Sequence, residues 1–141
     1  MQMPHNSVVM VADGAKMLFF RNEGDAELPN LQVLDAEQQA DAADRDIKTA
    51  PAGGAPGGGN MAETDFHQQA EDRFAAEAAK RLNAQALAGA FERLIIVAPP
   101  KTLGEMRKHY HAELDKRLVG EIAKDLTGHP VDQIERIIVN A

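Results

Sequence analysis

Between Ala36 and Asn60 the chain carries no aromatic, leucine, valine or methionine side chain, and Ile47 is its only branched aliphatic residue. Acids at Glu37, Asp41, Asp44 and Asp46 lead into Pro51, Gly53, Gly54, Pro56 and the run Gly57-Gly58-Gly59. Such a stretch cannot bury enough apolar area to offset the entropy of ordering it. It predicts a mobile linker, acidic and then Gly/Pro-rich, at about 36–62. A structureless segment longer than about 12–15 residues is either functional or a spacer between folded parts. Residues 1–35 are too few to fold alone, so the two flanks must share one core. The expectation is a single domain over 1–141, with about 115 residues building its core.

Before the linker the pattern is that of strands. Ser7–Ala12 is a β-branched apolar run, and Lys16–Arg21 follows after Asp13-Gly14-Ala15. Asp-Gly between two apolar runs signals a hairpin, because glycine accepts positive φ without steric cost. Asn22-Glu23-Gly24-Asp25 marks a second turn, and Asn30–Asp35 a third strand. The three runs predict an antiparallel meander.

After the linker the period becomes helical. Phe66, Ala70, Phe74, Ala78, Leu82 and Ala86 recur every fourth residue, with Glu71, Lys80 and Arg81 on other faces. Thr64 or Asp65 is expected to cap this helix and Gly89 to end it. Arg93–Ala98 is a short continuous apolar run, which suits a strand covered on both faces. Pro99-Pro100 should stop it. Thr102-Leu103-Gly104-Glu105 then reads as a capping box, opening one helix with Leu103, Met106, Tyr110 and Leu114 inward. Leu118–Leu126 fits either helix or a short strand, since Gly120 weakens the helical reading. Pro130 is expected at the first position of a last helix, with Val131, Ile134, Ile137 and Ile138 facing the core. The order β-β-β-α-β-α-(β)-α is that of an α/β domain, and the crossover helix makes part of the sheet parallel.

Composition narrows the class of function. The formal net charge is −7, but residues 1–72 hold four Lys/Arg against thirteen Asp/Glu, a balance of −9. Residues 73–141 hold eleven against nine, a balance of +2. The average argues against nucleic acid, whereas the distribution leaves it open. With no cysteine, a disulfide framework or thiolate metal site is excluded. No apolar run approaches the roughly 20 residues that span a bilayer. His5 and Asn6 interrupt the early apolar stretch, so no secretory signal is expected, and a cytoplasmic protein without membrane insertion is the default.

Four groups of residues have side chains suited to chemistry. In open α/β sheets ligands collect beyond the carboxyl ends of strands, often at helix N-termini. Here that tip is Pro99-Pro100-Lys101-Thr102, flanked by Arg107, Lys108, His111, Lys116 and Arg117. These seven, Lys101 to Arg117, are the candidate RNA or phosphate contacts. The competing reading is a capped helix with a solvated charged face, partly neutralised by Glu105 and Glu113. Pro51–Asn60 lacks the Lys-Ser/Thr of a phosphate loop and is separated from the preceding strand, so no nucleotide cofactor is expected. Asp13 could be one carboxylate of a two-metal nuclease, but such chemistry needs several converging acids, and the strand at 93–98 ends in Ala-Pro-Pro. Asp13 therefore reads foremost as a hairpin residue. His109 and His111 are two apart, so on a helix they diverge, and His67 and His129 sit near helix starts. Neither a metal site nor a Ser/His/acid set is assigned.

The segments 8–20, Arg73-Phe74 through Leu82-Asn83, 91–108 and 119–127 carry a likeness. They resemble the bacterial family named "protein required for attachment to host cells", with Ala-Pro-Pro-Lys-Thr-Leu-Gly at 98–104 followed by Arg107, and Lys-Asp-Leu-Thr at 124–127, as the most specific blocks. More distantly, the layout is similar to the middle domain of archaeal and eukaryotic class-one peptide release factors and of Pelota. That resemblance implies a ribonuclease-H-like topology and favours a strand at 118–124. Release factors carry Gly-Gly-Gln in a loop shortly before an Arg-Phe pair on the helix. Arg73-Phe74 matches the pair, but four residues before Arg73 stands Gln69, preceded by His67-Gln68, and Gly58-Gly59-Asn60 lies too early. The chain thus resembles the Pelota-like members that lack the motif.

The sequence leads to a mixed five-stranded α/β sheet, a three-stranded antiparallel meander plus two parallel strands, with helices packed on it. The expected function is a small non-catalytic binding module of the attachment family, associated with RNA or the ribosome through its basic second half. Two alternatives are a protein-interaction factor in host or surface attachment and a metal-dependent nuclease. Neither the oligomeric state nor the physiological partner is assigned.

Overall fold

The computed structural model describes residues 1–38 and 59–141. Strands β1 (Val8–Ala12), β2 (Lys16–Asn22) and β3 (Leu31–Gln38) are followed by helix α1 (Gly59–Leu87) and strand β4 (Leu94–Ala98). Helices α2 (Pro100–Arg107) and α3 (Ala112–Arg117), strand β5 (Leu118–Ala123) and helix α4 (Val131–Val139) complete the described chain. The sheet runs β3-β2-β1-β4-β5. Its first three strands are the antiparallel meander, while β1 pairs with β4, and β4 with β5, in parallel. This is the mixed five-stranded α/β fold expected, and the 118–124 segment is resolved as a strand.

β1 and β4 are buried along their whole length because helices cover both faces of the sheet. Alternate residues divide between two apolar layers, as the period of two requires. Val8, Met10, Ala12, Leu94, Ile96 and Ala98 meet Phe74, Ala78, Leu82 and Ala86 of α1, together with Leu103, Met106 and Leu114. Val9, Val11, Ile95 and Val97 face the other way, onto Ile134 and Ile138 of α4, with Met3. From Phe74 onward the fourfold spacing read for α1 is therefore its buried stripe, widened by Ala75 and Ala79, while Phe66 and Ala70 are half-buried.

Gly89 ends α1 as expected. Its φ is +73°, the Gly89 amide donates to Ala86 and the Ala90 amide to Gln85, which is the Schellman arrangement.

Several boundaries differ from the expectation. β3 continues to Gln38, because Ala36, Glu37 and Gln38 find ladder partners in Leu18, Met17 and Lys16. α1 begins at Gly59, so Thr64 and Asp65 stand inside the helix and not at its start. The remainder of the expected linker, 39–58, lies outside the described residues. The Thr102–Glu105 capping box is not formed. Pro99 is the N-cap of α2 and Pro100 its first residue, so the helix starts early enough to place Thr102 in its first turn, buried, with no side-chain cap. Pro130 is the N-cap of α4, one position earlier than expected.

The single helix expected from Thr102 through Leu114 is two helices with a break at 108–111. The break is stabilised from outside the segment. Asn83 on α1 donates through Nδ2 to the His109 carbonyl (2.7 Å) and accepts at Oδ1 from the His111 amide (2.9 Å). His111 then caps α3, its Nδ1 accepting from the Glu113 amide at 3.0 Å. A side-chain amide on another helix is invisible to a local reading, which is why the inward face of 103–114 was legible and the break was not.

Candidate nucleic-acid interface

The carboxyl ends of β1, β4 and β5 lie along one end of the sheet, since all three strands are parallel. β4 delivers the chain to the N-terminus of α2 with Lys101 exposed in its first turn. Proline at the first helical position suits this start, because its missing amide hydrogen would have had no intrahelical partner. The same end holds an open depression of about 520 Å³ lined by Asp125, Thr127, Gly128, His129, Pro130 and Gln133.

The basic residues flanking Lys101 do not form a uniform positive face. Arg107 donates through Nε to Glu121 (3.0 Å), and Lys108 lies 2.9 Å from Glu105. Glu113 takes both Lys116 (3.5 Å) and Arg117 (3.0 Å). Arg117 also donates to the Phe91 carbonyl and is half-buried, which ties α3 to the segment entering β4. The Lys108 ammonium holds the Glu105 carboxyl below its ordinary range, and Arg117 does the same for Glu113. Glu121 also accepts from the Tyr110 hydroxyl at 2.8 Å. Burial and that carboxylate push the phenol up, so it stays protonated and donating.

Of the seven sequence-selected residues, Arg107 and Lys108 are exposed at the end of α2 and Lys116 is exposed near the end of α3. Lys101 makes no ion pair among the described residues. Thr102 is 8% exposed, and His111 serves as the α3 cap. Asp13, at the end of β1, accepts at Oδ1 from the Ala15 and Lys16 amides (both 2.8 Å), which is the hairpin role read for it. Its Oδ2 lies 2.9 Å from the Thr127 hydroxyl, which is also 2.9 Å from Asp125. Among the described residues no group of three or more His, Cys, Asp or Glu is placed to hold a metal ion.

A family model described as bacterial archaeo-eukaryotic release factor family 12 matches residues 6–138. The chain belongs to this family. The release-factor side of the sequence resemblance is thus established, and the match spans the sheet and the described helices to within the last residue of α4. An uncharacterized protein of Rickettsia prowazekii (strain Madrid E) is 46% identical over 48 residues. The match covers 34% of this chain and 32% of the relative, so the chain spans about a third of that protein's length.

Within the family fold, Arg73 and Phe74 diverge in role. Phe74 is buried against the sheet, while Arg73 is exposed one residue earlier on α1. Gln69 is also exposed, inside the helix and not in a loop before it. No helix among the described residues is long and apolar enough to cross a membrane.

Sequence reasoning missed Asn83 and Glu121. Glu121 gathers Arg107 and Tyr110 from a parallel strand neighbouring β4, a convergence that follows from strand order and not from spacing along the chain.

Proposed function

We propose that this protein is a single-domain, non-catalytic module of the translation apparatus that contacts structured RNA, on the ribosome or free, in the cytoplasm. Membership of a release-factor family across residues 6–138 carries this reading. The geometry supports it along α2, whose exposed start carries Lys101 without a carboxylate partner among the described residues and whose other end carries the exposed Arg107 and Lys108. Phosphate contacts from such residues are sequence-independent and position a protein on RNA. The test is fluorescence anisotropy with a structured RNA and co-sedimentation with bacterial ribosomes across a salt series. Affinity should fall with salt, and Arg107→Ala with Lys108→Ala should weaken it and flatten the log–log slope by about one to two. Absence of binding to either target at low salt would remove the proposal.

A second reading is a protein-interaction factor in host or surface attachment. It is favoured by Val33 (60% exposed) and Leu34 (46%) on the edge strand β3 and by Leu28 just before it. Edge strands with exposed apolar residues are open to pairing with another chain. Replacing 39–58 with a Gly/Ser linker of equal length should leave RNA binding intact, and should abolish partner capture if the acidic segment serves attachment.

A further inference from the structure

A second polar site lies at the opposite end of the sheet from Lys101. Val8 pairs with Leu94 in parallel and with Arg21 in antiparallel register. Ser7 and Arg93 lie just outside this ladder, Ser7 accepting from the amide of Asn22, the residue after Arg21, so that all three stand at the same end of the sheet. The chain before β1 folds over them. Asn6 is left-handed (φ +69°) and its amide donates to the Asn22 carbonyl at 2.9 Å, while His5 Nδ1 donates to the Gly24 carbonyl at 2.7 Å. The Schellman turn at Gly89 brings residues 89–92 to the same place. Together they line a half-open cavity of about 300 Å³.

Three observations mark this cavity as built for a ligand. Ser7 is 1% exposed, and its hydroxyl oxygen is the buried side-chain polar atom left without a hydrogen-bond partner among the described residues. Buried polar groups are nearly always paired, so an orphan against a cavity is a candidate contact. Arg21 and Arg93 both line the cavity and, like the exposed Arg73 on α1, make no ion pair among the described residues, whereas Arg81, Arg107, Arg117 and Arg136 do. Glu92, exposed on the lining, pairs with neither of them.

We infer that this cavity binds a phosphate group. Two guanidinium forks supply more N–H donors than a single carboxylate can accept, and their planar geometry matches phosphate oxygens bidentately. The Ser7 hydroxyl is placed to donate from the buried side, and the His5 bond to Gly24 holds the chain before β1 over the site. The phosphate could come from a small phosphate ester or from an RNA backbone, and both present the same oxygens. The inference is independent of the RNA reading above, which rests on α2 and the residues after it.

The experiment is an amide NMR titration of the full chain with inorganic phosphate, adenosine 5′-monophosphate and a 5′-hydroxyl RNA oligonucleotide. Saturable shifts at Ser7, Arg21 and 89–93 are expected. Response to phosphate or the monophosphate assigns a small ligand, and response to the oligonucleotide alone assigns a backbone phosphate. Arg21→Gln with Arg93→Gln should raise Kd at least about tenfold, Ser7→Ala should weaken binding several-fold, and Glu92→Gln should tighten it. Arg93→Gln alone, at an exposed position, replaces the double variant if that one fails to fold. No saturable shift with any probe, or affinities indifferent to the arginine changes, overturns the inference. Arg107→Ala with Lys108→Ala should leave these shifts unchanged, which separates this site from the α2 flank.

Discussion

The guanidinium of Arg81 on α1 lies 4.3 Å above the ring of Phe19 on β2 and pairs with Asp35 and Glu37 on β3. One side chain thus ties the long helix to two strands, including the edge strand that is otherwise exposed from Gln32 onward. A cation over an aromatic face at a partly exposed site contributes about 0.5–1 kcal/mol. Arg81→Met should lower stability by about that amount and raise hydrogen exchange selectively in β3. Uniform protection loss across the whole sheet would contradict this local role.

The same cluster sets a pH dependence. The Arg81 hydrogen bond, then the Ala36 amide, hold the Asp35 carboxyl below its ordinary value. A depressed carboxyl contributes stability above its unfolded pKa, and that contribution is lost as pH falls through the folded value. Asp35→Asn should therefore be destabilising at neutral pH, with the difference from the parent fading below about pH 4. Urea midpoints at neutral and acid pH would show it.

Asn22 is fully buried and every polar atom of its side chain is used. Its Nδ2 donates to the Met3 carbonyl (2.7 Å) and to Asp25 (3.2 Å), and Oδ1 accepts from the Gly24 (3.0 Å) and Asn30 (2.8 Å) amides. The chain before β1 and the turn between β2 and β3 are both fastened to it. Asn22→Ala leaves several buried groups unpaired at about 1–3 kcal/mol for such a group. A loss of about 3 kcal/mol in denaturant titration is expected, together with broadening of the Met3–Ser7 resonances.

Gly24 and Gly89 are required for different reasons. A Cβ on Gly24 would sit 2.1 Å from the Leu28 carbonyl oxygen, which is backbone and cannot swing away. At Gly89 there is open space, and only the left-handed φ opposes a side chain. Gly89→Ala should cost about 1–2 kcal/mol, and Gly89→Asn less. Gly24→Ala should cost more than either and disturb the β2–β3 turn, as thermal unfolding of the three variants would rank.

The cations at the end of α2 are paired with carboxylates, so removing those partners tests the RNA reading. Glu105→Gln with Glu121→Gln removes the partners of Lys108 and Arg107 while a glutamine can still accept from Tyr110. RNA affinity should rise several-fold at low salt, with a steeper salt slope. Unchanged affinity would mean that these cations do not touch RNA.

The meander, the buried stripe of α1, the apolar β4 and the Gly89 stop were legible because each is a local pattern. Period two, period four and a left-handed glycine are imposed by covalent geometry within a few residues. The helix starts were less so. Thr102 and Glu105 have the residue types of a capping box, yet Pro99 and Pro100 are already compatible with the helix start, and burial of Thr102 is decided by the sheet beneath it. The basic flank was legible as a run of charges. Its neutralisation by Glu121 was not, because that residue arrives from the neighbouring strand.

Alternation, turn chemistry and apolar content by themselves determined that this chain forms a mixed α/β sheet whose two flanks share a core. Only the tertiary structure decided which charges stay unpaired. It leaves Arg21 and Arg93 without carboxylate partners among the described residues, beside the orphan hydroxyl of Ser7, and pairs Arg107, Lys108, Lys116 and Arg117 with acids. The reason is physical: hydrophobic periodicity acts through neighbours in sequence, whereas an ion pair depends on which strand ends and helix faces the completed sheet brings within a few ångströms.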